Sequence, residues 1–267
     1  MRLIITGANG AAGSEVLRQA LLDTRVTAVT TLTRSPLPSY LLPTPPAEPP
    51  SKLTQLLHSD FSSYPPSLVE KLENHDACIW ALGTSSVGLS EDEYTKVTYE
   101  YALEAAKAFG TIQRTETEGT RGGGKKFVFA YLSGARTTQT PKEGTGWFST
   151  PMWARVKGRT ELELSQLASL NSYSFRPAFI VPLTLPPPSH RSRYNTPFFQ
   201  SLGKMIGSFS SSGAVGADVL AKGMIRACFE GDGEGGIEGW KGKGSQGDQG
   251  VFENAEIRRL GEGLAAQ

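Results

Sequence analysis

The chain is 267 residues long and carries 27 Lys and Arg against 26 Asp and Glu, a net charge of +1. This balance gives no general electrostatic attraction to nucleic acid or an anionic membrane, so neither is expected as a partner. The two cysteines, Cys78 and Cys228, lie in apolar stretches and are too few for a disulfide framework or a metal site, which fits a reducing compartment.

The first apolar run, Leu3-Ile4-Ile5-Thr6, leads into Gly7-Ala8-Asn9-Gly10-Ala11-Ala12-Gly13 and then into a helix-forming stretch from Ser14. Glycines at 7, 10 and 13 let the backbone turn tightly, let a pyrophosphate approach without Cβ atoms in the way, and let a helix pack close to its strand. A helix starting there aims unpaired N–H groups and a partial positive charge at that pyrophosphate. Strand, turn and helix together predict a dinucleotide site on residues 7–13, where the glycine spacing alone would be weak support.

Residues 26–34 are rich in β-branched side chains and predict a second strand ending at Arg34. Residues 35–50 hold seven prolines, which exclude a helix or central strand and predict a surface insertion. A short third strand and its exit are expected at His58-Ser59-Asp60-Phe61, followed by a brief helix over 67–72. The nearly continuous apolar run Ala77-Cys78-Ile79-Trp80-Ala81-Leu82-Gly83 has the pattern of a strand buried on both faces. Residues 91–108 open with acids and are dense in helix formers, so they predict a long helix. A polar, glycine-rich connection then leads to a fifth strand over 126–133, closed by Ser133.

A helix over 153–168, a strand at 173–176 and a break at Pro177 continue the alternation. The pattern predicts an α/β fold, a doubly wound parallel sheet with helices on both faces. Beyond Pro182 the alternation fades into an irregular lid, a helix over 215–229 and a glycine-rich loop. Residues 183–250 therefore read as a small substrate region within one domain spanning 1–267, and Val251-Phe252 is a candidate edge strand. No charged leader precedes the first strand and no apolar run nears the roughly 18 residues of a membrane span, so a soluble, cytoplasmic protein is expected.

The order of these parts resembles the short-chain dehydrogenase/reductase superfamily, in its atypical, NmrA-like and HIV Tat-interacting-protein-like branch. The likeness runs through the glycine turn, Arg34, Asp60-Phe61, Ala81-Leu82-Gly83-Thr84, Ser133-Gly134, Lys157 and Arg176-Pro177, nearly the whole chain. The resemblance implies a Rossmann-type NAD(P)-binding fold with Asp60 near the adenine and the backbone of 81–83 lining the cofactor. Asp60 has a second reading as the cap of a turn, and Gly83 as the end of a strand. The helices over 94–108 and 153–168 form a dimer bundle in many relatives, so a homodimer is a possible assembly. Arg34 lies 21 positions beyond Gly13, where an NAD site wants a carboxylate for the ribose 2′-OH and an NADP site an arginine for the 2′-phosphate. NADP is therefore expected in preference to NAD.

By the same resemblance the catalytic pair is Tyr-x-x-x-Lys, but here the helix reads Trp153-Ala154-Arg155-Val156-Lys157. The spacing of four keeps positions 153 and 157 on one helix face. An indole N–H, however, has no useful acidity. Lys157 retains a ribose-binding role, Ser133 is placed to polarise a carbonyl or to form a turn, and a substitute acid is sought among Tyr194, Tyr131, His190 and Thr84, with Tyr194 first. Three functions stay open: an NADP-dependent oxidoreductase or isomerase on a small carbonyl or hydroxyl compound, a redox-silent NADP-binding regulator, and a non-redox lyase or cyclase.

Overall fold

The computed structural model describes residues 1–41, 52–113, 125–141, 150–183, 213–233, 237 and 250–263. In chain order the strands are β1 (Arg2–Thr6), β2 (Ala28–Thr33), β3 (Leu53–Leu57), β4 (Ala77–Trp80), β5 (Phe127–Leu132), β6 (Leu170–Arg176), β7 (Phe179–Val181), β8 (Ala214–Gly216) and β9 (Val251–Glu253). Seven of them form one parallel sheet in the order β3-β2-β1-β4-β5-β6-β9, and β7 pairs with β8 in a small second sheet. The helices are α1 (Ala11–Leu22), α2 (Pro66–Lys71), α3 (Glu91–Thr95), α4 (Tyr101–Phe109), α5 (Met152–Ser165), α6 (Ala217–Glu230) and α7 (Asn254–Glu262).

The central strands read as unbroken apolar runs because both faces of the sheet are covered. On β5, Val128 and Ala130 join the core under α1, α6 and α7, with Val16, Leu17, Leu220, Met224 and Ile257. Phe127, Phe129 and Tyr131 point the other way, into an aromatic core with Trp80, Phe61 and Phe109 and with Val156 and Leu164 of α5. Trp80 stacks on Phe129 at 5.8 Å and meets the edge of Phe61 at 6.0 Å.

The long helix expected over 91–108 is present with an unforeseen break in its hydrogen-bond register. Ser90 starts α3 with a capping box to Glu93. Residues Lys96–Glu100 then form a turn of π-helix before α4 resumes. Side-chain periodicity does not report this wider turn, and it places Thr98 beside the site described below.

Other expectations are corrected. The third strand is Leu53–Leu57, pairing with β2 from Val29↔Leu53 to Thr33↔Leu57, while His58-Ser59-Asp60-Phe61 is its exit. As an edge strand with exposed Thr54, Gln55 and Leu57, β3 lacks the alternation that marks a half-buried strand. Within 183–250, β8 stands immediately before α6, where the helix is expected to begin at 215, while the expected lid over 184–212 and most of the glycine-rich loop lie outside the described residues. Val251-Phe252 does form the sheet's last strand, β9, and α7 follows it.

The sheet edge is fastened by buried charge. Arg176, at the end of β6, is 1% exposed. Its guanidinium forks onto both carboxylate oxygens of Glu161 on α5 and donates to Glu253 of β9 at 3.2 Å. A second polar clamp is His75, also 1% exposed, with Nδ1 2.8 Å from Leu72 O and Nε2 2.9 Å from Thr30 Oγ1. A carbonyl only accepts, so the geometry assigns the proton to Nδ1 and leaves Nε2 to accept from the threonine.

Burial holds the His75 pKa below its usual 6.5. The unfolded chain therefore takes up this proton first as the pH falls, so the stability from neutral His75 is complete above about 6.5 and is lost on acidification below it. The midpoint of thermal unfolding should decline from pH 6.5 to 5, and His75→Gln should be less stable at neutral pH with a flatter decline. His58, whose pKa is also lowered by burial, adds the same sign to both proteins and drops out of the comparison.

Candidate active site

The glycine turn is built as its sequence spacing requires. Gly7 has φ +67°, and a Cβ there would run into the backbone of Ala81 and Leu82. A Cβ on Gly13 would run into the backbone of Gly7 itself. These two positions clamp the β1 exit, the first turn of α1 and the exit of β4 together, and no side chain fits between them. Gly10 is the N-cap of α1, and Ser14 N–H is bonded to Gly10 O at 2.9 Å, which leaves the amides ahead of it at the open helix end.

That end opens into a cavity of about 790 Å³ at the carboxyl ends of β1, β4 and β5, where the strand order reverses. Gly10, Ala11 and Ala12 form one wall, and Ala81, Leu82, Gly83, Thr84 and Ser85 form the next. Tyr131, Leu132 and Ser133 come from β5 and its exit, Lys157 from α5, Thr98 from the π turn and Ile180 from β7. The turn and the Ser133–Lys157 pair, 120 and more residues apart in sequence, thus face one volume.

Lys157 Nζ donates to Ser133 O at 2.9 Å and lies 3.5 Å from Leu132 O. An ammonium has three donors, so one remains for a ligand. Removal from bulk water pushes its pKa down to about 8, against the opposing pull of Glu161 one helical turn away. Ser133 is 5% exposed, and its Oγ has no hydrogen-bond partner among the described residues. Because residue 133 lines the cavity, a ligand group that reaches this hydroxyl would find it unpaired.

Trp153 is half-buried and packs against the aromatic core beside Met152, and it is not among the residues facing the cavity. Of the substitute acids, Thr84 and Tyr131 line the cavity. Burial holds the Tyr131 phenol well above its usual pKa, and its OH reaches toward Thr98 O at 3.5 Å. Tyr194 and His190 lie outside the described residues.

The other candidates sit around the cavity rather than in its wall. Asn9 is exposed and donates to Ser35 Oγ at 3.4 Å, which ties the glycine turn to the residue following Arg34. Arg34 itself is exposed at the end of β2. Ala8 and Gly13 are buried beneath the turn. Asp60 accepts from the backbone N–H and the hydroxyl of Ser62, the geometry of a capped turn. The Phe61 side chain is core, 1% exposed. Thr98, Ser85, Val87, Leu89, Leu132 and Ile180 also line the cavity and had no motif to mark them. Among the described residues no helix is long and apolar enough to cross a membrane.

No protein-family model matches the chain. Leucinostatins biosynthesis cluster protein T of Purpureocillium lilacinum is 28% identical over 133 residues, which is 50% of this chain and 42% of that protein. The match thus spans less than half of the relative's length. Among solved structures, UDP-glucuronic acid 4-epimerase from Bacillus cereus, in complex with UDP-glucuronic acid and NAD, superposes with a TM-score of 0.55 at 13% identity, over 94% of this chain and 76% of that one. DesIV, a dTDP-glucose 4,6-dehydratase from Streptomyces venezuelae, gives 0.56 at 15% identity over 99% and 82%. The PhqB reductase domain from Penicillium fellutanum gives 0.55 at 17% over 84% and 63%. The chain has the Rossmann-type α/β fold of these proteins, with a seven-stranded parallel sheet between two layers of helices.

Proposed function

We propose that this chain is a nicotinamide-dinucleotide-dependent oxidoreductase of the short-chain dehydrogenase/reductase type that reduces a small carbonyl compound or oxidises the matching alcohol. The observation that carries this reading is the single cavity shared by the α1 N-terminus and the Ser133–Lys157 pair. The fit to a dinucleotide rests on the open α1 N-terminus, whose Gly10, Ala11 and Ala12 form part of the cavity wall, and on the Ser133 hydroxyl, which has no partner among the described residues. Residues 7–13 would hold the pyrophosphate, the backbone of 81–83 the adjoining ribose, and Asp60 and Phe61 the adenine side, while the one donor that Lys157 has left goes to the substrate and not to the nicotinamide ribose. When bound in its reduced form, the dinucleotide supplies a hydride.

The chain's own residues do the rest. Ser133 Oγ donates to the substrate's carbonyl oxygen and holds the carbon at the cavity wall. Lys157 Nζ, anchored on Ser133 O, takes over from the absent tyrosine and delivers the proton to that oxygen as the alcohol forms. The neutral amine is recharged from water, and oxidation runs the same proton transfer backwards. The PhqB reductase domain supports this reading by likeness of fold.

NADP is the cofactor we propose, through Arg34 on the 2′-phosphate. Titration with NADPH and NADH should show the former binding more tightly. Arg34→Glu should weaken NADPH by about tenfold or more, the worth of one charge-assisted contact, and leave NADH within about threefold. Equal loss for both removes Arg34 from cofactor choice. A screen of carbonyl compounds for dinucleotide oxidation then tests the reaction. The second reading, a redox-silent NADP-binding regulator, is favoured by Trp153 and is upheld by tight NADPH binding without turnover on any of them.

A further inference from the structure

The cavity walls are of two kinds. Hydrogen-bonding groups are Ser133 and Lys157 on one side, with the neutral hydroxyls of Thr84, Ser85, Thr98 and Tyr131, whereas Leu82, Val87 and Leu89 after β4 and Ile180 on β7 present aliphatic surface to the same volume. Val87 is 66% exposed, the most exposed of the large apolar side chains among the described residues. Together with Leu82, Leu89 and Ile180 it gives the cavity a contiguous aliphatic lining, the surface on which an apolar ligand rests.

The chain is turned to present it. Val87 N–H donates to Ser85 Oγ at 3.2 Å, and Leu89 N–H to Ser86 O at 3.3 Å. Between them Gly88 has φ +83°, a backbone conformation that favours glycine. The turn brings Val87 and Leu89, two residues apart, to the same cavity.

Charge is scarce in that wall. Lys157 is the only ionisable side chain with a full charge near pH 7 among the described residues that line the cavity, and its ammonium already donates to a backbone carbonyl. A phosphate or carboxylate on the substrate would have to be desolvated against Leu82, Val87, Leu89 and Ile180 without a counter-charge of its own.

We propose that the substrate is an uncharged, largely apolar aldehyde, ketone or alcohol whose hydrocarbon body rests on Leu82, Val87, Leu89 and Ile180 while its single oxygen meets Ser133 and Lys157. This rests on the oxidoreductase reading above and adds the class of substrate. Each methylene moved from water onto that wall is worth about 0.8 kcal/mol, about fourfold in specificity constant.

The test uses the full chain saturated with NADPH and a series of straight-chain aldehydes from propanal to octanal, each paired with its ω-carboxylate. The specificity constant should climb about fourfold per methylene until the wall is covered, and each carboxylate should fall at least tenfold below its parent. Val87→Asp should cost the longest aldehyde about tenfold, mainly in KM, with NADPH affinity unchanged. Val87→Ala should lose severalfold in the same direction. A flat series, or a preference for the carboxylates or for a nucleoside diphosphate sugar, overturns the proposal.

If no aldehyde is reduced, calorimetric titration of the NADPH complex with the corresponding primary alcohols and amides separates the two claims. Affinity that rises with chain length and is lost in Val87→Asp upholds the apolar ligand and removes the reductase. Affinity independent of length and of Val87 overturns the apolar ligand.

Discussion

On the oxidoreductase reading, Lys157→Ala should lower carbonyl reduction by about two to four orders of magnitude, the range contributed by a positioned acid or base. The loss should appear in kcat, with NADPH binding affected far less, because the same reading seats the pyrophosphate on residues 7–13, away from α5. The wild-type pH profile carries the signature of the group. With the Lys157 pKa near 8, the ammonium that reduction needs disappears above that pH, so reduction falls about tenfold per pH unit on the alkaline side. Oxidation, which needs the free amine, rises through the same pH. A steady-state profile in both directions checks this, and a reduction rate that is flat across pH 7–10 would exclude Lys157 as the proton source. Trp153→Tyr restores the phenol one turn before the lysine, and turnover that appears only in that variant assigns the wild type to the redox-silent reading.

Arg176→Leu should destabilise the protein by about 3–5 kcal/mol, because it takes from the fully buried Glu161 the fork that meets both of its oxygens. The urea midpoint should move down at constant slope. Replacing both partners at once, Arg176→Leu with Glu161→Leu, should recover much of that loss, since the cost lies in the desolvated charge left behind more than in the contact removed. The double variant also removes the carboxylate that opposes desolvation at Lys157, so its activity profile should shift to lower pH while its stability recovers.

The parts of this protein that were legible in its sequence are those whose cause is local. The turn at Gly7, Gly10 and Gly13 is decided by atoms within a few residues of each other and by the backbone of Ala81, and its spacing reports it directly. β1, β4 and β5 show as apolar runs because two helix layers press on them. β3, with Thr54 and Gln55 in solvent, and β7 and β8, three residues each, are too exposed or too short for any period to show. The π turn at Lys96–Glu100 changes which carbonyl each N–H meets, and side-chain pattern is silent on that. In the site, Ser133 and Lys157 were legible through their place in a known order of motifs. Thr98, Val87, Leu89 and Ile180 reach the cavity from three separate elements, so only the assembled topology brings them there.

The β9 edge has a consequence for how the molecule is made. Six strands of the large sheet are complete once Arg176 has been synthesised, but Glu253, its partner across the last ladder, lies 77 residues further on. At typical translation speeds that gap lasts about 4–15 s. Throughout it β6 is the open rim of an otherwise finished sheet, with unpaired backbone groups available to any passing strand. Loop closure over so many residues costs more chain entropy than the pairings of β1 with β2 and of β2 with β3, 26 and 24 residues apart, and β9 is the last strand to be made, so the rim is sealed last. The nascent chain is thus most prone to association after β1 to β6 have been made and before residues 251–253 emerge, a window set by the length between two strands and not by the stability of either.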